Sequence, residues 1–268
     1  MTDMIDISAR FTFAVTGQAD VLLQFEAAAI PEQRLLNTRT TMSHAHHLAR
    51  VPAHDAIGER IWLHAEGQYE ISYWAQVQVN RILADLGTLD QLDTHDLPGE
   101  AVQYLFDSRY CPAEQFQHFV DAQFGTLAGG PRVVAMRDWI AAQLRYVPGS
   151  STYRTTALDT FVERRGICRD YTHLMVSLAR ASAIPARYVS VYAPGVTPQD
   201  FHAVAEVFLA DPTIPGGGAW HMVDATMMAD PAQTVKIGVG RDAADVSFMT
   251  SFGDVIFGEK DVVVEALP

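Results

Sequence analysis

The stretch Arg165-Gly166-Ile167-Cys168-Arg169-Asp170-Tyr171-Thr172-His173-Leu174 decides how this 268-residue chain folds. Gly166 closes one helical pattern, and two residues later Cys168 opens the next. Upstream, Thr156 to Arg165 carries Leu158, Phe161 and Val162 at helical spacing, and Gly166 suits the left-handed position after the last turn. Downstream, Tyr171, Leu174, Met175 and Leu178 predict the inward face of a helix that closes near Ala183, before Ile184-Pro185. A thiol at a helix start meets unpaired N–H groups and the positive end of the macrodipole, and both favour a thiolate.

Outward from this helix the chain sorts into blocks. Phe116, Phe119, Val120 and Phe124 predict a helix ended by Gly125. Gly129-Gly130-Pro131 starts another, with Val133, Met136, Ile140 and Leu144 in a stripe, Trp139 beside it, and Tyr146 to Ser150 closing it. After the cysteine helix, residues 186–192, 201–209 and 219–224 read as strands separated by loops rich in proline and glycine. Helices followed by consecutive strands predict an α+β core, an antiparallel sheet packed on the thiol-bearing helix.

The N-terminal part reads as β-rich and sandwich-like. Phe11, Phe13 and Val15 alternate with other residues, as do Val21, Leu23 and Phe25, so a hairpin is expected about Gly17-Gln18-Ala19-Asp20. Residues 69–79 form the clearest strand, expected to pair with Ile61 to Ala65 across Glu66-Gly67-Gln68. Residues 85–100 are polar and turn-rich. The expected division is an N-terminal module over 1–97 and a core over 98–268.

The bulk numbers narrow the function classes. At 49% hydrophobic and 19% charged residues the chain can bury a sizeable core. A net charge of −13 leaves no basic surplus for phosphates, so neither a nucleic acid nor an anionic membrane is expected as a partner. No apolar run reaches the roughly 18 residues of a membrane span. The first residues carry no basic segment followed by an apolar one, and Cys111 and Cys168 are too few for a disulfide framework. A reducing, cytoplasmic setting is the expectation, and it suits a free thiol. Cys111, just before Pro112 at a helix start, reads as structural. His44-Ala45-His46-His47 could supply imidazole ligands, but no cysteine or carboxylate lies near at ligand spacing, so it reads as a solvated segment.

A nucleophilic thiol needs a base and a group that orients the base. His202 begins the strand at 201–209 and shares a face with Val204, Glu206 and Phe208. Asp224 ends the next strand, on the face of Trp220 and Met222. If the two strands are antiparallel neighbours, His202 and Asp224 meet across them near the helix start that presents Cys168. Asp170 and His173 lie close in sequence but not on the thiol's face of the helix. Asp170 is expected to serve the helix dipole or to pair with Arg169 or Arg187.

Four segments resemble the core of the bacterial transglutaminase-like superfamily. They are Arg165 to Leu174, Ala183-Ile184-Pro185-Ala186-Arg187-Tyr188-Val189, Phe201-His202-Ala203-Val204-Ala205-Glu206-Val207 and Trp220-His221-Met222-Val223-Asp224-Ala225-Thr226. Val239 to Val246 resembles the family's C-terminal strand region, and the β-rich start resembles the region that often precedes this core. The resemblance implies a papain/transglutaminase-like fold, with Cys168 as nucleophile, His202 as base and later acid, and Asp224 orienting His202. It implies acyl transfer on an amide of a peptide or protein through a thioester, by a cysteine peptidase or amidase, with no metal or organic cofactor. The alternatives are a protein-glutamine γ-glutamyltransferase, which crosslinks or deamidates, and a non-catalytic binding protein that keeps the fold. One departure stands out: many relatives have a Trp soon after the histidine, where this chain has Ala203 and Val204, and that position shapes the cleft.

Overall fold

The computed structural model describes residues 4–43, 45–213 and 217–267. Chain order begins with four strands: β1 (Met4–Leu23), β2 (Gln33–Met42), β3 (His47–Pro52) and β4 (Glu59–Val79). A helical region follows with α1 (Gly99–Val102), α2 (Gln117–Phe124), α3 (Gly129–Gln143), the two-residue β5 (Arg145–Tyr146), α4 (Ala157–Glu163), the two-residue β6 (Arg165–Gly166) and α5 (Cys168–Ala181). Strands β7 (Ala186–Tyr192), β8 (His202–Ala210), β9 (Gly218–Val223) and β10 (Val235–Gly240) come next, then β11 (Met249–Phe252) and β12 (Val255–Leu267).

The core is the expected α+β arrangement. Strands β10-β7-β8-β9 form one antiparallel sheet in that order, and α5 packs on β7 and β8. Helix α5 is buried along nearly its whole length, from Asp170 to Arg180. Its polar groups are met inside: Arg180 donates to the carbonyls of Ala186, Phe106 and Arg241, and Ser177 Oγ donates to the His173 carbonyl. A helix with no solvent face is pinned from every side, so its first residue is held rigidly.

The N-terminal sheet corrects two local expectations. Hairpin turns are expected at Gly17 and Gly67, but β1 and β4 continue past them, paired on both sides from Met4 opposite Gln78 to Leu23 opposite Ile61. Both glycines take left-handed φ angles, +75° and +77°, and the register slips between Val15 and Gln18. Glycines of this kind at a bulge, Gly67 opposite Val15 and Gly17 in the unpaired step beside it, bend a paired ribbon instead of reversing either chain. The bend gives two half-sheets that share β1 and β4. Ile7, Phe11 and Ile71 from one half and Val21, Leu23 and Leu63 from the other belong to one apolar cluster.

Residues 249–267, assigned above to the core, hydrogen-bond to β1 as β11 and β12. The chain end thus completes the N-terminal sheet. The core sheet in turn reaches into that module: Tyr192, Val235 and Ile237 join its apolar cluster, and the Tyr192 hydroxyl donates to the Phe25 carbonyl at 2.6 Å. The outer edge of β10 is capped by Gln33 and Ala28, both bonded to the Lys236 backbone. Behind them lies a buried ion network. Fully buried Glu206 pairs with Arg187 and Lys236; Arg187 also reaches Asp55, and Lys236 also reaches Glu32.

The left-handed residue after α4 is Arg164, at φ 55°, not Gly166. Its guanidinium lies over the Phe161 and Trp139 rings, 4.3 and 4.7 Å from their centroids. Gly166 is required for another reason. A Cβ there would lie 2.6 Å from the Asp170 Cβ, so only glycine lets the chain turn this tightly into α5.

Candidate active site

The local chemistry of residues 164–171 sets Cys168 in place. Ile167 is extended (φ −115°, ψ −178°) and α5 begins at the next residue. The Asp170 carboxylate folds back to accept the Ile167 N–H at 2.8 Å, closing the first turn. Asp170 is wholly buried, and that burial raises its pKa against the pull of this hydrogen bond. The expected ion pairs of Asp170 are not formed: Arg187 pairs with Glu206, and Arg169 donates to the carbonyls of Thr152 and Thr155.

Short β5 lies parallel to β6, with Tyr146 opposite Gly166 and the Val147 N–H donated to the Gly166 carbonyl at 2.9 Å. This places Tyr146 beside Cys168, with its hydroxyl close to the backbone N–H and the sulfur. Burial, and behind it the Cys168 sulfur, raise the pKa of that phenol, so it stays protonated.

Strand β8 delivers the imidazole. Thr172 Oγ donates to the Ala203 carbonyl at 2.9 Å, stapling α5 to the residue after His202. His202 is 2% exposed, and its Nε2 lies 3.0 Å from Asp224 Oδ2. Pairing of Ala205 with Val223 sets Asp224 diagonally across from His202 on one face of the sheet. Asp224 is itself locked: it also accepts the N–H groups of Thr226, Met228 and Ala229 and the Thr226 hydroxyl. Burial works against its charge, yet His202 and these donors hold its pKa below the usual carboxylate value.

With Nε2 committed to Asp224, His202 Nδ1 has no hydrogen-bond partner among the described residues. The Cys168 sulfur is close enough to couple to the ring. Burial disfavours the imidazolium, but Asp224 and the sulfur outweigh it and push His202 up to about 10. Cys168 and His202 open on one cavity of about 1030 Å³. The three residues singled out from sequence therefore converge in space: Asp224 on His202, and His202 beside Cys168.

The other candidates stand apart. His173 is fully buried between the rings of Tyr110 and Tyr188, and its Nε2 accepts the Ala243 N–H at 3.2 Å. Burial, with Arg169 and Arg180 nearby, drives its pKa well below the ordinary value, so it remains neutral. Cys111 is buried, with its pKa pushed up to about 12 by desolvation, and it is inert for the same reason. In the histidine-rich segment, His44 lies outside the described residues. His47 faces His64 across β3 and β4, and His64 bonds Asp20. Among the described residues the one cluster with metal-ligand spacing is exposed Asp93, His95 and Asp96, not these histidines.

Sequence reasoning missed Tyr146, Thr172 and the aromatic lining of the cavity. Tyr146 belonged to an apparent helix end, and nothing local shows that residues 145–146 pair with 165–166. No helix of the described residues is long and apolar enough to cross a membrane.

Comparison with known proteins gives the same core. Residues 121–225 match the family model of the transglutaminase-like superfamily. The crystal structure of a candidate cysteine protease from Cytophaga hutchinsonii superposes with a TM-score of 0.91 at 29% identity, covering 100% of this chain and 92% of that one. An uncharacterized protein of Mycobacterium leprae is 31% identical over 119 residues, which are 43% of this chain and 42% of that protein. One from Mycobacterium tuberculosis is 32% identical over 130 residues, 43% of this chain and 40% of its own. The matches thus span less than half the length of these two relatives. Cys168, His202 and Asp224 stand on α5, on β8 and just after β9, and Cys168 and His202 lie within the cavity described above. Residues 121–225, which contain all three, are a domain of the transglutaminase-like superfamily.

Proposed function

We propose that this protein is a thiol-dependent acyl-transfer enzyme that opens amide bonds of peptides or proteins, acting as a cysteine peptidase or amidase. The observation that carries this reading is the paired commitment of His202: Nε2 on Asp224 at 3.0 Å, and Nδ1 left for the thiol at the start of α5. In this mechanism the imidazolium, supported by Asp224, faces a Cys168 thiolate. The sulfur attacks the amide carbonyl carbon, and the electron pair of the C=O bond moves to oxygen. The Tyr146 hydroxyl borders the thiol and serves as a donor to that oxyanion. His202 gives its Nδ1 proton to the departing amine, leaving a thioester. Water, deprotonated by the same nitrogen, then releases the acid and restores the thiol.

An amine in place of water would make the same site a transglutaminase. Two unpaired thiols fit a reducing compartment, so a cytoplasmic location belongs to the proposal. The test is incubation with glutamine-containing peptides, with and without a primary amine, followed by mass spectrometry. Cleavage or deamidation without amine supports a hydrolase, and amine incorporation supports transamidation. Products that persist in Cys168→Ala would overturn the thiol mechanism.

A further inference from the structure

The walls of the cavity beside Cys168 carry an uneven charge. Asp200 and Lys260 line it and neutralise each other as an ion pair. The other two formal charges outside His202 are Arg109 and Arg169, and both guanidinium carbons lie within 5.0 Å of the Tyr110 ring centroid. Arg154, next in the chain to the lining residue Tyr153, lies 5.3 Å from that ring, and the Tyr153 carbonyl accepts the Tyr110 hydroxyl.

Among the described residues, none of these three arginines has a carboxylate at ion-pair distance. The two acids in the neighbourhood are already committed. Asp170 closes the first turn of α5 through Ile167 N–H, and buried Asp242 accepts the Tyr110 and Ala244 N–H groups. Arg169 keeps two of its donors on the Thr152 and Thr155 carbonyls, whereas exposed Arg109 is held by its ring contact. This is a positive patch without an ion pair in a chain of net charge −13. Like charges gathered on one aromatic platform repel each other, and an anion between them removes that repulsion.

We propose that Arg109 and Arg169 form a subsite for a carboxylate on the acyl donor, so that the preferred substrates are acidic peptides. Arg169 follows Cys168 directly in the chain, so the carboxylate lies within a few residues of the amide under attack. Exposed Arg109 offers two parallel N–H donors to such a group, Arg169 adds its charge from beside the thiol while its Nη groups stay on Thr152 and Thr155, and the cleft walls focus their field. The proposal takes its reaction from the acyl-transfer reading above.

The test uses peptides with a central glutamine that differ only in a flanking Glu or its isostere Gln, and matched peptides ending in a free or an amidated C-terminus. The expected result is a kcat/KM about tenfold higher for the peptide with the carboxylate, and the arm that shows it tells a side-chain carboxylate from a terminal one. That ratio should collapse to below about twofold in Arg109→Gln, recover in Arg109→Lys, and shrink as salt rises. Equal kcat/KM for carboxylate and isostere, or a preference unchanged in Arg109→Gln, would overturn the subsite. Binding of the same peptides to Cys168→Ala separates the two proposals. Preferential binding of the acidic peptide without turnover by the native enzyme upholds the subsite and refutes acyl transfer. Turnover without preference does the reverse.

Discussion

Asp224→Asn changes one atom of the site and should silence the thiol. In the structure Asp224 Oδ2 accepts from His202 Nε2 at 3.0 Å, Met228 N–H at 3.0 Å and Ala229 N–H at 2.8 Å. Oδ1 accepts the Thr226 N–H at 2.8 Å, and the Thr226 hydroxyl lies 2.8 Å from both oxygens. A carboxylate can receive all of these donors, but an amide cannot. Turning the new NH₂ toward Thr226 loses the fewest contacts, yet it leaves one backbone N–H unmet, at a cost of about 1–3 kcal/mol. The electrostatic loss is larger. Raising His202 from 6.5 to about 10 corresponds to roughly 5 kcal/mol of preference for the protonated ring, and Asp224 leads the groups that supply it. Losing even about 2 kcal/mol of that lowers the ratio of imidazolium to imidazole at His202, at a given pH, by more than tenfold. The expected outcome is that iodoacetamide alkylates Cys168 at least about tenfold more slowly at pH 7 in the variant. Rates come from mass spectrometry of the Cys168 peptide between pH 5 and 10, with buried Cys111 as the slow internal reference. Labelling within twofold of the native rate across that range, in a folded variant, would refute the link between Asp224 and the charge at Cys168.

The raised pKa of His202 contributes stability that is fully present below pH 6.5 and is lost as pH rises through about 10. The melting temperature should therefore fall over that window, by less in Asp224→Asn than in the native protein; equal falls would contradict the assignment. Glu206→Gln leaves Arg187 and Lys236 buried with one charge too few, which should cost about 3–5 kcal/mol in denaturant titration, whereas a loss below about 1 kcal/mol would mean that Glu32 and Asp55 suffice. Gly166→Ala drives a Cβ to within 2.6 Å of Asp170 and strips the cap from α5. It should cost about 1–3 kcal/mol and slow Cys168 labelling; an unchanged rate would show that the cap does not set the thiol.

The candidate site was readable because each of its residues marks the end of a locally coded element. A glycine, an apolar stripe and a terminal thiol define the start of α5 without help from distant chain. Alternation defines β8 and β9, and antiparallel pairing then leaves little freedom in where His202 meets Asp224. Of the two roles expected of Asp170, the first-turn anion is formed and the ion pair is not; sequence leaves both open because a solvent-side ion pair and a buried cap are each an acid in a first turn.

The N-terminal sheet shows the opposite case. Gly17 and Gly67 carry the same local signal whether they reverse a chain or bend it. Each lies across from the other strand's bend, and that pairing is a contact between residues about fifty positions apart. Return of β11 and β12 to β1 joins the two ends of the chain, and no period within either segment encodes it. The sequence by itself determined most of the periodic elements and the residues at their ends, Cys168, His202 and Asp224 among them, because helix and strand patterns are short-range. Tertiary structure alone decided the bent sheet, the Thr172 staple, the placement of Tyr146 and the arginine platform on Tyr110. Each of these depends on which surfaces of distant segments exclude water together, and one-dimensional spacing does not record that.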